Sequence, residues 1–231
     1  MNIGTAAGIK ALKKAPTGGG GGGGGWTHVA STIQASSDGN GFTVSAINTA
    51  GATFIAIVLG SYSAHPTPTD SKGNTYSLAV NLSSGDGGSE GNSRQISIFY
   101  CAAPTVGSGH TFTLTGTGTY AVMAVYAFSG GAGGILDQTN SSVDTNTTTT
   151  RQPGSITPST ANQLLISGIE FRTGSNAAID SGFATPLKSA TTANSVGTAG
   201  SYFVQGSAAA INPTWTIDSV DFAPAAIASF K

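Results

Sequence analysis

The chain has 231 residues, enough to bury a substantial core in one large domain or two small ones. Only 8% of the residues are Asp, Glu, Lys or Arg and the net charge is −1, so there is no basic field to bind nucleic acid by counterion release. No run of about 20 apolar residues offers a membrane-spanning helix, and Cys101, the only cysteine, excludes a disulfide within the chain.

Three zones follow one another. In Met1–Thr17, Ile9 and Leu12 alternate with Lys10, Lys13 and Lys14 over about one and a half helical turns before Pro16. So short a helix is marginal in water and gains stability only when docked on a partner. Met1–Lys14 lacks the apolar stretch of about 7–15 residues that a secretory signal needs. The segment therefore reads as an assembly anchor, with Ile3, Ile9, Lys10, Leu12, Lys13 and Lys14 as its contact residues. Gly18–Gly25 is an unbroken glycine tract, read as a flexible linker or as a close-packed passage where no Cβ fits.

Residues 26–231 read as β-strand throughout, with short strands between clusters of Gly, Asn, Asp, Ser and Pro. The first half offers Trp26–Gln34, Phe42–Ile47, Thr53–Tyr62, Thr75–Asn81, Arg94–Ala102, His110–Thr115 and Tyr120–Phe128. The second offers Asp137–Val143, Thr147–Ser155, Asn162–Phe171, Ala184–Ala190, Ser201–Gly206, Thr214–Asp218 and Ala223–Phe230. Most alternate apolar and polar residues, the mark of a sheet with one wet face. Thr53–Leu59 and Ala121–Phe128 are more continuously apolar and belong in mid-sheet.

The halves, about 26–130 and 131–231, repeat the same landmarks in the same order. Phe54 in its apolar strand corresponds to Leu164, and the turn at Asp70-Ser71 to Asp180-Ser181. Ser97–Ala102 corresponds to Ser201–Gly206, Thr111–Leu114 to Thr214–Ile217, and Val125–Phe128 to Ile227–Phe230. Two such units form either one compact jelly-roll-like body, the arrangement expected here, or two sandwiches side by side.

Residues with chemical potential are few. His28, His65 and His110 lack metal-ligand spacing. Cys101, set in Ile98–Ala103, reads as a packed thiol. Asp137, Asp144, Glu170, Asp180, Asp218 and Asp221 are scattered, mostly at turns, with Glu170 the most notable because it ends a strand. Asp86, Glu90 and Asn92 in a glycine-rich loop form the one candidate receptor or calcium site, although their spacing is not that of an EF-hand. Trp26, Trp215, Phe112, Tyr100, Tyr202 and Phe203 could line a carbohydrate platform, but alternating aromatics usually pack inward, and the match of Phe112 with Trp215 favours the core. No catalytic residue, cofactor or enzyme activity is expected.

Several segments together resemble β-sandwich domains of bacterial surface proteins and bacteriophage virion proteins. They are Thr69–Tyr76, Ile98–Ala102, Ala124–Gly130, Asn162–Ile166 and Ala225–Lys231, and the resemblance covers about residues 28–231. These motifs are structural and bring no catalytic residues with them. A bare body behind an anchor and poly-glycine resembles a virion component: a head decoration, fibre or tail protein on the outer surface. It would be joined to capsid or tail proteins through residues 1–25 and assembled as a homo-oligomer, without nucleic-acid or membrane contacts. The alternative is an extracellular carbohydrate-binding or adhesive module of a bacterial surface.

Overall fold

The computed structural model describes residues 25–231, apart from 38, 63–65, 85–93, 117–119, 132, 144–147, 173–175, 192–195 and 219–222. The described residues form sixteen β-strands and no helix. In the first half these are β1 (Thr27–Ala35), β2 (Phe42–Ile47), β3 (Phe54–Ser61), β4 (Thr69–Asp70), β5 (Ser77–Ser84), β6 (Arg94–Ala102), β7 (His110–Leu114) and β8 (Ala121–Ser129). In the second they are β9 (Leu136–Val143), β10 (Thr150–Arg151), β11 (Gln163–Phe171), β12 (Ala177–Ile179), β13 (Leu187–Ala190), β14 (Gly197–Gln205), β15 (Trp215–Ile217) and β16 (Pro224–Phe230).

The first half makes a five-stranded sheet, β1-β8-β3-β6-β5, and a three-stranded sheet, β2-β7-β4. The second half makes β9-β16-β11-β14-β13 and β10-β15-β12. Counted from the start of each half, the strand order is the same, so the repeat seen in the sequence is a repeat of topology. All the pairings are antiparallel. The halves do not share one pair of sheets. Each closes a sandwich of its own, and the two sandwiches meet through their five-stranded sheets.

This stacking explains the wholly apolar strands. Successive side chains of a strand point to opposite faces, and here both faces are buried. From β3, Ile55, Ile57 and Leu59 point into the first sandwich with Val44, Phe112 and Leu114. Phe54, Ala56 and Val58 point the other way, onto Leu164, Ile166, Ala226, Ala228 and Phe230 of the second half. The second sandwich is filled by Ile169, Phe171, Trp215 and Ile217, with Ile156, Leu165 and Ile227 in a separate cluster. Phe112 and Trp215 are thus equivalent core residues, both fully buried. Close approach of the sheets requires a missing side chain at Gly200, where a Cβ would stand 2.9 Å from Tyr126 Oη and 3.2 Å from Val58 Cβ.

The interface between the halves is reciprocal. Strand β1 touches β13 as β9 touches β5. The Tyr100 ring lies 5.2 Å from Phe230, and the Tyr202 ring 5.0 Å from Phe128. Pairing register makes Tyr100 and Tyr202 equivalents, because Tyr100 faces Ala56 and Tyr202 faces Ile166. The sequence match of Ser97–Ala102 to Ser201–Gly206 is therefore displaced by two residues. A two-residue slip leaves every side chain on the same face, so the hydrophobic pattern could not expose it.

Candidate functional site

The anchor residues Ile3, Ile9, Lys10, Leu12, Lys13 and Lys14, and the loop residues Asp86, Glu90 and Asn92, lie outside the described residues, as do His65, Asp144 and Asp221. The strands that flank those segments are described, and they give the body two distinct ends. Thr27 at the start of β1 pairs with Ser129, while Ala35 at its end pairs with Val122. Ser84, at the end of β5, pairs with Arg94, at the start of β6, on the Val122 side of the sheet. A nine-residue strand spans about 30 Å. The chain therefore enters the body at one end, and the β5–β6 connection opens at the other.

The entering chain is held firmly. Trp26 is buried, with its ring 5.2 Å from Phe54 and 6.4 Å from Phe128, both edge-on. Gly131 adopts φ +73° against the Trp26 ring, where a Cβ would overlap it. The segment joining the halves is bound at the same end, Gly134 N–H donating to Lys231 O at 2.9 Å.

The aromatics offered as a carbohydrate platform form no exposed stripe. Trp26, Phe112 and Trp215 are buried, and Tyr100, Tyr202 and Phe203 are half-buried in packed clusters. His28 is stacked 5.2 Å from Tyr202 at an interplanar angle of 11°, and burial lowers its pKa.

One constellation has the outline of a nucleophile, base and acid. Thr49 Oγ1 is 2.9 Å from His110 Nδ1, and His110 Nε2 is 3.0 Å from Asp70 Oδ2, off the line of a hydrogen bond. Asp70 accepts from the N–H groups of Lys72 and Asn74, from Asn74 Nδ2 at 2.8 Å and from Tyr76 Oη at 2.6 Å. Burial pushes the Asp70 carboxyl up, but these donors outweigh it and hold the pKa below the usual carboxylate value. Burial pushes the Tyr76 hydroxyl up, and the hydrogen bond to Asp70 and its charge push it further. Thr49 and His110 are completely buried and the Asp70 side chain is enclosed, so no substrate atom reaches them. The cluster ties the Asp70–Asn74 turn to β7. Cys101 is also buried, and its thiol is pushed up by burial and by Asp70.

The other described carboxylates are similarly engaged. Asp137 accepts from Ser159 N–H and Oγ, from Gln163 Nε2 and from Lys231 Nζ. Burial pushes it up, and these donors hold it well below the usual range. Asp180 accepts from Ser181 Oγ and Thr214 N–H, and Asp218 from Asn176. Glu170 accepts from Arg94 NH1 at 2.7 Å across the interface between the halves, with side chains 0% and 8% exposed. The residue that stood out at a strand end is thus half of a buried ion pair. Among the described residues no three His, Cys, Asp or Glu side chains gather as metal ligands.

An open groove of about 630 Å³ lies on the second sandwich. It is lined by Ser142 and Val143 of β9, Thr150 of β10, Gln152, Gly154, Asn212 and Thr214. Gln152 Nε2 donates to Thr214 Oγ1 at 3.2 Å. No sequence motif marks this groove, because it depends on the register of strands far apart in the chain.

No family model, curated protein or solved structure matches this chain.

Proposed function

We propose that this chain is a structural component of a bacteriophage particle: a capsid decoration, head fibre or tail protein displayed on the outer surface. Met1–Thr17 grips a capsid or tail protein, Gly18–Gly25 forms the tether, and the paired sandwiches form the exposed body. The observation that carries this reading is the polarity of the body. The tether joins it at the Trp26 end, and the connection holding Asp86, Glu90 and Asn92 opens from the opposite end of the sheet.

Two further features support it. Each half runs in the order first, eighth, third, sixth in one sheet and second, seventh, fourth in the other. We read this as a jelly roll whose fifth strand has crossed to the larger sheet. The described carboxylates hold turns and strands together, which suits a scaffold that makes and breaks no bonds. Assembly as a homo-oligomer, with symmetry matched to the attachment site, follows the usual habit of repeated surface proteins.

The test is removal of Met1–Thr17. The shortened protein is expected to remain soluble and folded, with an unchanged thermal midpoint, and to be missing from purified particles. Normal incorporation of the shortened protein would refute the assignment.

A further inference from the structure

Strand register makes a position-by-position comparison of the two sandwiches possible at their open side edges. Met123 and Ala225 stand equally far before the closing residues Phe128 and Phe230, and they pair with Gln34 and Ser142 respectively. Ser142 is thus the counterpart of Gln34. In the small sheets, Thr43 faces Thr113 and Thr150 faces Thr216. Val44 and Arg151 come next, and both point inward and are buried. The residues after them, Ser45 and Gln152, are counterparts in turn.

In the first sandwich this pair shuts the edge. Gln34 Oε1 reaches across to accept from Ser45 N–H at 3.1 Å and from Ser45 Oγ at 3.3 Å, and β1 and β2 stay in contact. In the second sandwich the two residue types have changed places. Ser142 is too short to reach across, and Gln152 turns to Thr214 Oγ1 instead. The groove lies where the bridge is missing, lined by both residues. One of its walls is fixed. Gly154 has φ +97° and a Cβ there would overlap the Asn140 side chain, whose Nδ2 donates to Ser155 O at 3.0 Å.

The lining defines the chemistry of a ligand. Ser142, Thr150 and Thr214 provide hydroxyls and Gln152 and Asn212 provide amides, and among the described residues the lining holds no charged group and no aromatic ring. Asn212 Oδ1 is buried without a hydrogen-bond donor among the described residues, and a hydroxyl brought into the groove could satisfy it after a small rotation of the amide. The volume falls within the roughly 300–1,000 Å³ of small-ligand pockets. Neutral hydroxyl and amide groups on a wet wall match a neutral polyol better than an ion or an apolar chain. We propose that the open edge of the second sandwich is a binding groove for a neutral saccharide. Without an aromatic surface for stacking, single-site affinity is expected in the millimolar range. This inference is independent of the assembly role, and neither stands or falls with the other.

The test is NMR of the full-length protein with neutral trisaccharides of glucose, galactose, mannose and N-acetylglucosamine, each to about 20 mM, enough to populate a millimolar site. At least one sugar is expected to shift the side-chain amides of Gln152 and Asn212. The double variant Ser142→Gln with Gln152→Ser restores the bridge of the first sandwich and is expected to abolish the shift of the Asn212 amide while keeping the thermal midpoint. Asn212→Ala is expected to weaken binding about tenfold. The proposal is overturned if none of the sugars shifts the groove amides. It is also overturned if the Asn212 shift survives closure of the groove, or if a synthetic octaglycine peptide or a charged sugar is preferred over the neutral ones.

Discussion

The ion pair between Arg94 and Glu170 joins strands from opposite halves at 2.7 Å, with the carboxylate side chain fully enclosed. Arg94→Met takes the guanidinium away from that carboxylate in the interface, and removal of one partner of such a pair costs about 3–5 kcal/mol. Glu170→Gln preserves shape and takes the negative charge away from the guanidinium instead, at about 3 kcal/mol. A folded domain is stable by only about 5–15 kcal/mol, so each single change lowers the melting temperature by roughly 6–20 °C for a chain of this size. The double variant Arg94→Met with Glu170→Leu removes both desolvation penalties and should return to within about 1 kcal/mol of the parent. Urea unfolding followed by tryptophan fluorescence is a suitable assay, because Trp26 and Trp215 are both buried, one in the core between the sandwiches and the other inside the second. A double-mutant cycle should give a coupling of at least about 2 kcal/mol. Two single variants that each cost under about 1 kcal/mol, and add without coupling, would refute the idea that this pair helps to fix how the sandwiches dock.

Gly131→Ala combines a left-handed backbone with overlap of the Trp26 ring, and it should destabilise the body by at least about 2 kcal/mol in thermal unfolding, with loss of the native Trp26 fluorescence signal. The Asp70 carboxyl is held below its ordinary pKa. Its contribution to stability is therefore complete above about pH 4–5 and disappears as the pH falls through the lowered value. Asp70→Asn should reduce overall stability and also lessen the acid-side fall in urea midpoint, leaving the part due to Asp137 and Asp180, which are lowered in the same direction. The Cys101 thiol, buried and pushed up, should react with an aromatic disulfide reagent at least roughly tenfold faster after unfolding than before.

Much of the strand layout could be read from residue pattern alone, because a strand with one wet face alternates and a strand buried on both faces does not. Thr53–Leu59 and Ala121–Phe128 were apolar because they separate two cores, and they became β3 and β8. The pattern fails for β4 and β12, which are two and three residues long and too short to show a period. It also overextends β10, where Thr147–Ser155 reduces to Thr150–Arg151. The repeat was visible from its landmarks, but choosing between one shared body and two stacked sandwiches required the pairing of β1 with β8 and of β9 with β16. The groove was not legible, since its origin is an exchange of Gln34 and Ser45 for Ser142 and Gln152, four unremarkable residues until register aligns them. His110 and Glu170 show the same limit. The sequence shows neither partner, and packing alone reveals that Asp70 lies beside His110 and Arg94 beside Glu170.

The lysines allow a direct test of the central claim, because they are split between the arm and the body. Lys10, Lys13 and Lys14 precede the glycine tract, and Lys72, Lys188 and Lys231 belong to the sandwiches. Amine crosslinking of purified particles, read by mass spectrometry, should join the first three to a different particle protein and the last three only to this chain and its copies. Crosslinks that run the other way, with the arm lysines bound to their own sandwich and the body lysines to the particle, would contradict the account.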